Sequence, residues 1–290
     1  MNTNVAIVTG ASSGIGAAAA RRLHDHGYVV YAAARRIERM ASLAEAGIRA
    51  VQVDVTDDAS LTAFVSQIIS ETGRVDVLVN NAGYGALGAL EDVPLAEARR
   101  QFDVNLFGLA RLVQLVVPHM RKQREGRIIN ISSMGGRIHL PLCGWYHATK
   151  FAVEGFSDTL RMELAPFGIR VVVIEPGAID TEWHGVAGDN LIATSSQGAY
   201  RGQAAALVKV LAAGGLASSP EVVGDAIVRA AQARRPQTRY RVGLGAKPAL
   251  LARWALPDKT FDRMVRLVLG VGSRVAGSRP VVKISAGRAP

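Results

Sequence analysis

The stretch Val5-Ala6-Ile7-Val8-Thr9-Gly10-Ala11-Ser12-Ser13-Gly14-Ile15-Gly16 decides how this chain is read. Four consecutive apolar residues, Val5 to Val8, suit a strand buried on both faces, as in a parallel sheet. They run straight into TGASSGIG, Thr9 to Gly16, and then into an alanine-rich helical stretch ending near Gly27. Strand, glycine turn and helix together aim backbone N–H groups and a helix N-terminus at a phosphate. Gly10, Gly14 and Gly16 leave the backbone bare for a pyrophosphate, with Ser12, Ser13 and Ile15 between them. Glycines also make ordinary turns. The strand before this cluster and the helix after it favour dinucleotide binding.

Outward from that turn the same rhythm repeats. Val29–Ala34, Ile48–Val53, Val75–Val79, Arg127–Ile131 and Ile169–Ile174 read as strands. Ile37–Ala46 is helix-like. Asp57–Thr72 places Leu61, Phe64, Val65, Ile68 and Ile69 at helical spacing. Pro94 sits where a first-turn proline opens a long helix to about His119, and Tyr146–Ala165 is a further helix. The alternation predicts an α/β fold: one doubly wound, Rossmann-type parallel sheet with helices on both faces, in a single domain. After Pro176-Gly177 the rhythm breaks for about forty residues, and such inserts usually carry function. Residues 178–217 are therefore expected to be a lid over the substrate. Ser219-Pro220-Glu221 opens the next helix, and Thr238–Val242 reads as a last strand. The dinucleotide-binding and catalytic domain is assigned to 1–256, an amphipathic helix to 257–271 and a disordered basic tail to 272–290.

The glycine spacing, Gly-x-x-x-Gly-x-Gly, resembles that of the short-chain dehydrogenase/reductase family in its single-domain form. The resemblance extends over separate motifs in order: TGASSGIG at 9–16, Asp54-Val55, NNAG at 80–83, Asn105, ISS at 131–133, YHATK at 146–150 and Pro176-Gly177. It covers roughly residues 3 to 185. The ARR, SSMGG and PDKTFDRM segments are similar to those of hydroxysteroid- and retinol-type dehydrogenases and ketoreductases. The resemblance implies a nicotinamide cofactor. Asp54 and Val55 would flank its adenine, Asn81, Ala82 and Gly83 would line it, and Pro176, Gly177, Ile179 and Thr181 would meet its carboxamide end.

Cofactor choice is read at the end of the second strand. An acid there accepts hydrogen bonds from the adenosine ribose, whereas a 2′-phosphate is repelled by acid and attracted to guanidinium. The chain reads Ala33-Ala34-Arg35-Arg36. The arginines alone could be solvated residues opening a helix, but the missing acid favours NADP(H) over NAD(H).

Tyr146 and Lys150 are four residues apart on the predicted helix and so share a face. Reduction of a carbonyl builds charge on oxygen that needs a proton donor, and the reverse reaction needs a base. A phenol of pKa about 10 is a poor base at neutral pH. An ammonium about 4 Å away, at an effective dielectric near 20, contributes roughly 4 kcal/mol, or about three units, and the charge of an oxidised nicotinamide adds to it. The resemblance assigns polarisation of the substrate oxygen to Ser133 rather than its neighbour Ser132. It gives Asn105 a proton-relay water and Lys150 a second task on the nicotinamide ribose. The alternative for Asn105 is a polar residue satisfying backbone inside a helix. The catalytic set is Asn105, Ser133, Tyr146 and Lys150.

Met134, Ile138, Leu140, Leu142, Trp145, Ile179 and Trp183 suggest an apolar pocket for a hydrophobic ketone, aldehyde or secondary alcohol. The bland reading of each is core packing. The expected activity is hydride transfer between NADP(H) and such a substrate. Its rivals are a non-catalytic NADP(H) sensor or scaffold, and the extended, epimerase-like branch.

The chain has 290 residues and a net charge of +10. From Arg229 onward there are fourteen Lys/Arg and two Asp/Glu, a local +12, so the preceding part is close to neutral. No nucleic-acid motif accompanies this charge. Phe261, Met264, Val265, Val268 and Leu269 form an apolar stripe beside Lys259, Arg263 and Arg266. Weak peripheral membrane contact is one reading; packing on the protein's own body or on another subunit is favoured. A homodimer or homotetramer is expected. One cysteine, Cys143, fits a reducing compartment. The six histidines lack metal-ligand spacing, so no metal is expected. With no basic leader and no long apolar run, the expectation is a cytoplasmic protein.

Overall fold

The computed structural model describes residues 3–212 and 217–270. The chain forms a seven-stranded sheet in the order β3-β2-β1-β4-β5-β6-β7, parallel throughout. The strands are β1 Val5–Thr9, β2 Val29–Ala34, β3 Arg49–Gln52, β4 Val77–Asn80, β5 Gly126–Ile131, β6 Ile169–Pro176 and β7 Arg239–Val242. Parallel strands require crossovers, and here helices supply them on both faces. Side chains alternate between the two layers. Ala6 and Val8 join the core under α1 (Gly14–Asp25) and α9 (Glu221–Gln232). Val5 and Ile7 join the core under α3 (Asp58–Thr72), α5 (Gly108–Gln123) and α6 (Gly144–Leu164). The expected Rossmann-type α/β fold is the one observed.

Chain growth reverses direction between β1 and β4, so a crevice opens beyond their carboxyl ends, where ligands bind in such sheets. The glycine turn, Asn81–Gly83, Ser133 and Gly177 all follow strand ends on this edge.

Several elements differ from the sequence reading. Ile37–Ala46 resolves into a 3₁₀ turn, Ile37–Met40, and a short α2, Ala41–Glu45. The single helix expected from Pro94 to His119 is interrupted: α4 (Leu95–Phe102) is joined to α5 by a π turn at Asp103–Phe107. The insert after Gly177 is helical, with α7 at Trp183–Ser195 and α8 at Arg201–Ala212. A helix not foreseen, α10 (Ala246–Ala255), precedes α11 (Asp258–Val268). The residues of the expected 272–290 tail lie outside those described.

A third apolar cluster unites Leu87, Ile138, Leu142, Ala187, Leu191, Leu207, Leu250, Phe261 and Val265 with half-buried Met134, Leu140, Tyr146 and Trp183. It lies between α7 and α8 and the last two helices. Ile179 is not in it: that side chain is buried in the first core, so it is packing rather than pocket wall.

Candidate active site

The phosphate turn is built by close approach. Gly10 and Gly14 have φ of +66° and +51°, values costly for a residue with a Cβ. At Gly16 a Cβ would stand 2.2 Å from the Gly10 carbonyl oxygen. Thr9 and Asn81 brace the turn. The Thr9 hydroxyl accepts from the N–H groups of Asn81 and Ala82, both at 3.0 Å, and the Asn81 amide donates to the Thr9 carbonyl at 2.9 Å. Ser13 caps α1 without using its side chain on the helix, and Ile15 packs on the first core. Thr181 abuts the turn, its methyl 2.9 Å from where a Cβ on Gly14 would be. A bare backbone cradle at a helix N-terminus fits a dinucleotide phosphate.

At the adenosine end, Ala34 is buried, and Arg35 and Arg36 are exposed. Arg36 Nη2 lies 3.5 Å from the Ser12 hydroxyl and 3.8 Å from Glu182. Arg39, which the sequence reading missed, forms a two-pronged ion pair with Glu182. That pair spans 143 positions, so no local pattern could have shown it. Asp54 is occupied locally, accepting from the Thr56 N–H at 2.9 Å and its hydroxyl at 2.8 Å. The Val55 carbonyl abuts Gly108.

The four residues of the expected catalytic set converge from three elements. Tyr146 and Lys150 lie on α6, Ser133 follows β5, and Asn105 sits in the π turn. Such turns are frequent at functional sites. Asn105 is buried and locked: its amide nitrogen donates to the Tyr84 carbonyl at 2.9 Å and the Thr149 hydroxyl at 3.0 Å, and its oxygen accepts from the Tyr84 N–H at 3.0 Å. Thr149, also missed although it lies inside the YHATK motif, in turn donates to the Tyr146 carbonyl at 2.8 Å. A Cβ at Gly83 would sit 3.1 Å from Asn105 Oδ1 and 3.7 Å from Lys150 Nζ, so these three meet at one point.

Ser132 and Ser133 separate cleanly. Ser132 is buried, its hydroxyl packed against Gly136. Ser133 is half-buried and accepts from the Gly135 N–H at 3.0 Å, which leaves its O–H free to donate. His147 pins the following loop: the Leu140 N–H donates to Nε2 at 3.0 Å, so Nδ1 carries the proton and donates to the Gly135 carbonyl at 2.7 Å. Trp183, from α7, covers the Tyr146 ring at 5.1 Å between centroids.

The electrostatics differ from expectation. Burial pushes the Tyr146 phenol up to about 12, with the Ser133 hydroxyl pulling the other way. Burial also draws Lys150 down to about 8, against the attraction of Glu154. Lys150 Nζ is 5.9 Å from the Tyr146 ring centroid, and it donates to the Ile131 carbonyl at 2.8 Å. The expected depression of the tyrosine is therefore absent in the protein alone, because desolvation dominates at each of the two groups. A buried ammonium with one backbone acceptor has donors left for a further polar group, which fits the ribose of a nicotinamide cofactor.

Cys143 is a buried free thiol that burial pushes up to about 12, which makes it a packing residue rather than a nucleophile. Among the described residues, no group of three His, Cys, Asp or Glu side chains is placed to hold a metal ion.

Comparison with known proteins gives concordant relatives. The family model described as short chain dehydrogenase matches residues 4–191. The chain is 36% identical over 267 residues to the probable short-chain type dehydrogenase/reductase VdlC of Helicobacter pylori, covering 91% of this chain and 97% of that one. It is 44% identical over 181 residues to the 3-ketodihydrosphingosine reductase of Bacteroides thetaiotaomicron, covering 62% of this chain and 66% of that one. Among solved structures, a short-chain dehydrogenase from Streptomyces avermitilis superposes with a TM-score of 0.80 at 31% identity, covering 93% of this chain and 98% of that one. The closed form of a serine dehydrogenase complexed with NADP+ superposes at 0.73 with 27% identity, covering 82% and 94%.

Proposed function

Because the chain belongs to the short-chain dehydrogenase/reductase family, a family of oxidoreductases, we propose that it moves a hydride between NADP(H) and a hydrophobic ketone, aldehyde or secondary alcohol, with Tyr146 as general acid and base. The observation that carries this reading is the convergence of Ser133, Tyr146, Lys150 and Asn105 above the glycine turn.

The nicotinamide, when bound, supplies or accepts the hydride. The Ser133 hydroxyl, free to donate, holds the substrate oxygen. Tyr146 passes its phenolic proton to that oxygen as the carbonyl becomes an alcohol, and recovers it in the reverse direction. A phenol raised by burial holds its proton at neutral pH, the state that carbonyl reduction needs. Lys150 fixes the ribose and places its positive charge beside the developing phenolate. Asn105, immobilised by Tyr84 and Thr149, keeps a relay water in line with Lys150 so that the tyrosine can be reprotonated.

NADP(H) preference is assigned to three features: no acid at Ala34, exposed Arg35 and Arg36, and Ser12 beside Arg36. Arg39 adds a third guanidinium near that end. The NADP+ complex of the similar serine dehydrogenase supports this choice. The apolar cluster around Tyr146 and Trp183 suits a substrate with an extended hydrocarbon part, in keeping with the similarity to a 3-ketodihydrosphingosine reductase. A homodimer or homotetramer fits the exposed apolar side chains Leu95, Phe107, Phe151 and Met162, on neighbouring elements α4, the π turn and α6.

The test is NADPH consumption against ketones and aldehydes of increasing chain length, with NADH as comparison. Turnover should improve with chain length and be about tenfold or more better with NADPH. No turnover on any carbonyl would count for a binding protein, and equal use of both cofactors would remove the assigned role of the arginines.

A further inference from the structure

α10 and α11 are joined by Leu256-Pro257, and each turns one face inward. Leu250, Phe261, Val265 and Leu269 pack in the third cluster, which also holds Tyr146 and Trp183. This settles most of the stripe read from the sequence as packing on the protein's own body. Val268 is the exception, being 74% exposed.

The outward faces are different in kind. On α10, Leu251 and Trp254 are three residues apart, on one side of the helix, and are 63% and 84% exposed. On α11, Leu267 is 76% exposed. Large apolar side chains left in water on one helix face mark a contact surface. Exposed cations accompany them: Lys247 one turn before Leu251, and Lys259, Arg263 and Arg266 along α11. The two acids of this segment are already engaged. Asp258 pairs with Arg253 at 2.7 Å, and Asp262 with His139 at 2.9 Å. Beyond Gly270 the sequence adds Arg274, Arg279, Lys283 and Arg288 and no acid.

We propose that the outward surface of α10 and α11 docks on an anionic lipid bilayer. Tryptophan and leucine enter the headgroup–acyl boundary, and the lysines and arginines face the lipid phosphates. Among the described residues no helix is long and apolar enough to cross a membrane, so the contact is peripheral. Charge complementarity favours this occupant over a second copy of the chain, whose own matching surface would be equally cationic. The docked face is the outer side of the helices that wall the apolar cluster, so a water-insoluble substrate would have a short path from bilayer to Tyr146. The docking itself does not depend on the proposed reaction.

The test uses the full chain and vesicle flotation, with neutral phosphatidylcholine vesicles against vesicles containing phosphatidylglycerol. The chain should float with anionic vesicles, not with neutral ones, and should be released by high salt. Two double variants, Leu251→Ser/Trp254→Ser and Arg263→Glu/Arg266→Glu, should each lower the bound fraction by about tenfold. NADPH binding should be unchanged in both, which shows that they fold. Absence of flotation, or flotation of both variants like the parent, would overturn the proposal. So would variants that shift the oligomeric state by light scattering while leaving lipid binding unaltered, since the surface would then belong to a second copy.

Discussion

His147 illustrates how much one side chain settles. Its two ring nitrogens bind the backbone at Leu140 and Gly135, which holds the loop between Ser133 and Tyr146 in place. Burial lowers it to about 4 from 6.5. Below 6.5 the unfolded chain therefore binds a proton that the folded chain refuses, and stability contributed by the neutral ring is lost as pH falls from 6.5 towards 4. The whole effect is about 3 kcal/mol. Urea unfolding of the parent across that window should show the decline. His147→Gln, which has no titrating group, should show a decline smaller by about that amount. Equal slopes in the two proteins would refute this account of the ring. Sequence alone marked Tyr146 and Lys150 through their spacing, but His147 lay between them unremarked, because its partners become neighbours only after the loop folds.

At the scale of elements, legibility followed burial. The inner strands β1 and β2 hold unbroken apolar runs, and β5 and β6 are interrupted only by Arg127 and Asn130 and by Arg170 and Glu175, so all four could be read directly. The break between α4 and α5 could not, because a π turn inserts a residue without breaking the run of helix-forming side chains. α10 was hidden by Gly243, Gly245 and Pro248, which read as loop punctuation; Gly245 in fact adopts φ +79° as the helix N-cap. Helix α7 has nearly no amphipathic pattern to find. The end of β2 is where one substitution should re-specify the cofactor. Ala34→Asp puts a carboxylate where a ribose hydroxyl can meet it and a 2′-phosphate is repelled. The kcat/KM ratio of NADPH to NADH should fall by about tenfold or more. An unchanged ratio would mean that Ala34 does not face the ribose.

For the whole molecule, the motifs were visible in the sequence, but their geometry was not. The glycine turn and the Tyr-x-x-x-Lys spacing lie over a hundred positions apart, and only the order of the parallel sheet brings both to one edge. Charge divides along the chain in the same way, with a nearly neutral body and a basic C-terminal part. What the sequence could not supply was the dielectric. The expected lowering of Tyr146 counted a partly solvated pair together with the charge of an oxidised nicotinamide, whereas in the protein alone burial raises the phenol and lowers the ammonium. Burial thus favours the protonated phenol at Tyr146. The most direct measurement compares Tyr146→Phe with the parent in single-turnover NADPH oxidation and, separately, in NADPH binding. The account predicts a loss of about 10²–10⁴-fold in the rate of hydride transfer, with binding changed by no more than about twofold. A variant that turns over like the parent would contradict it, because the proton would then come from elsewhere.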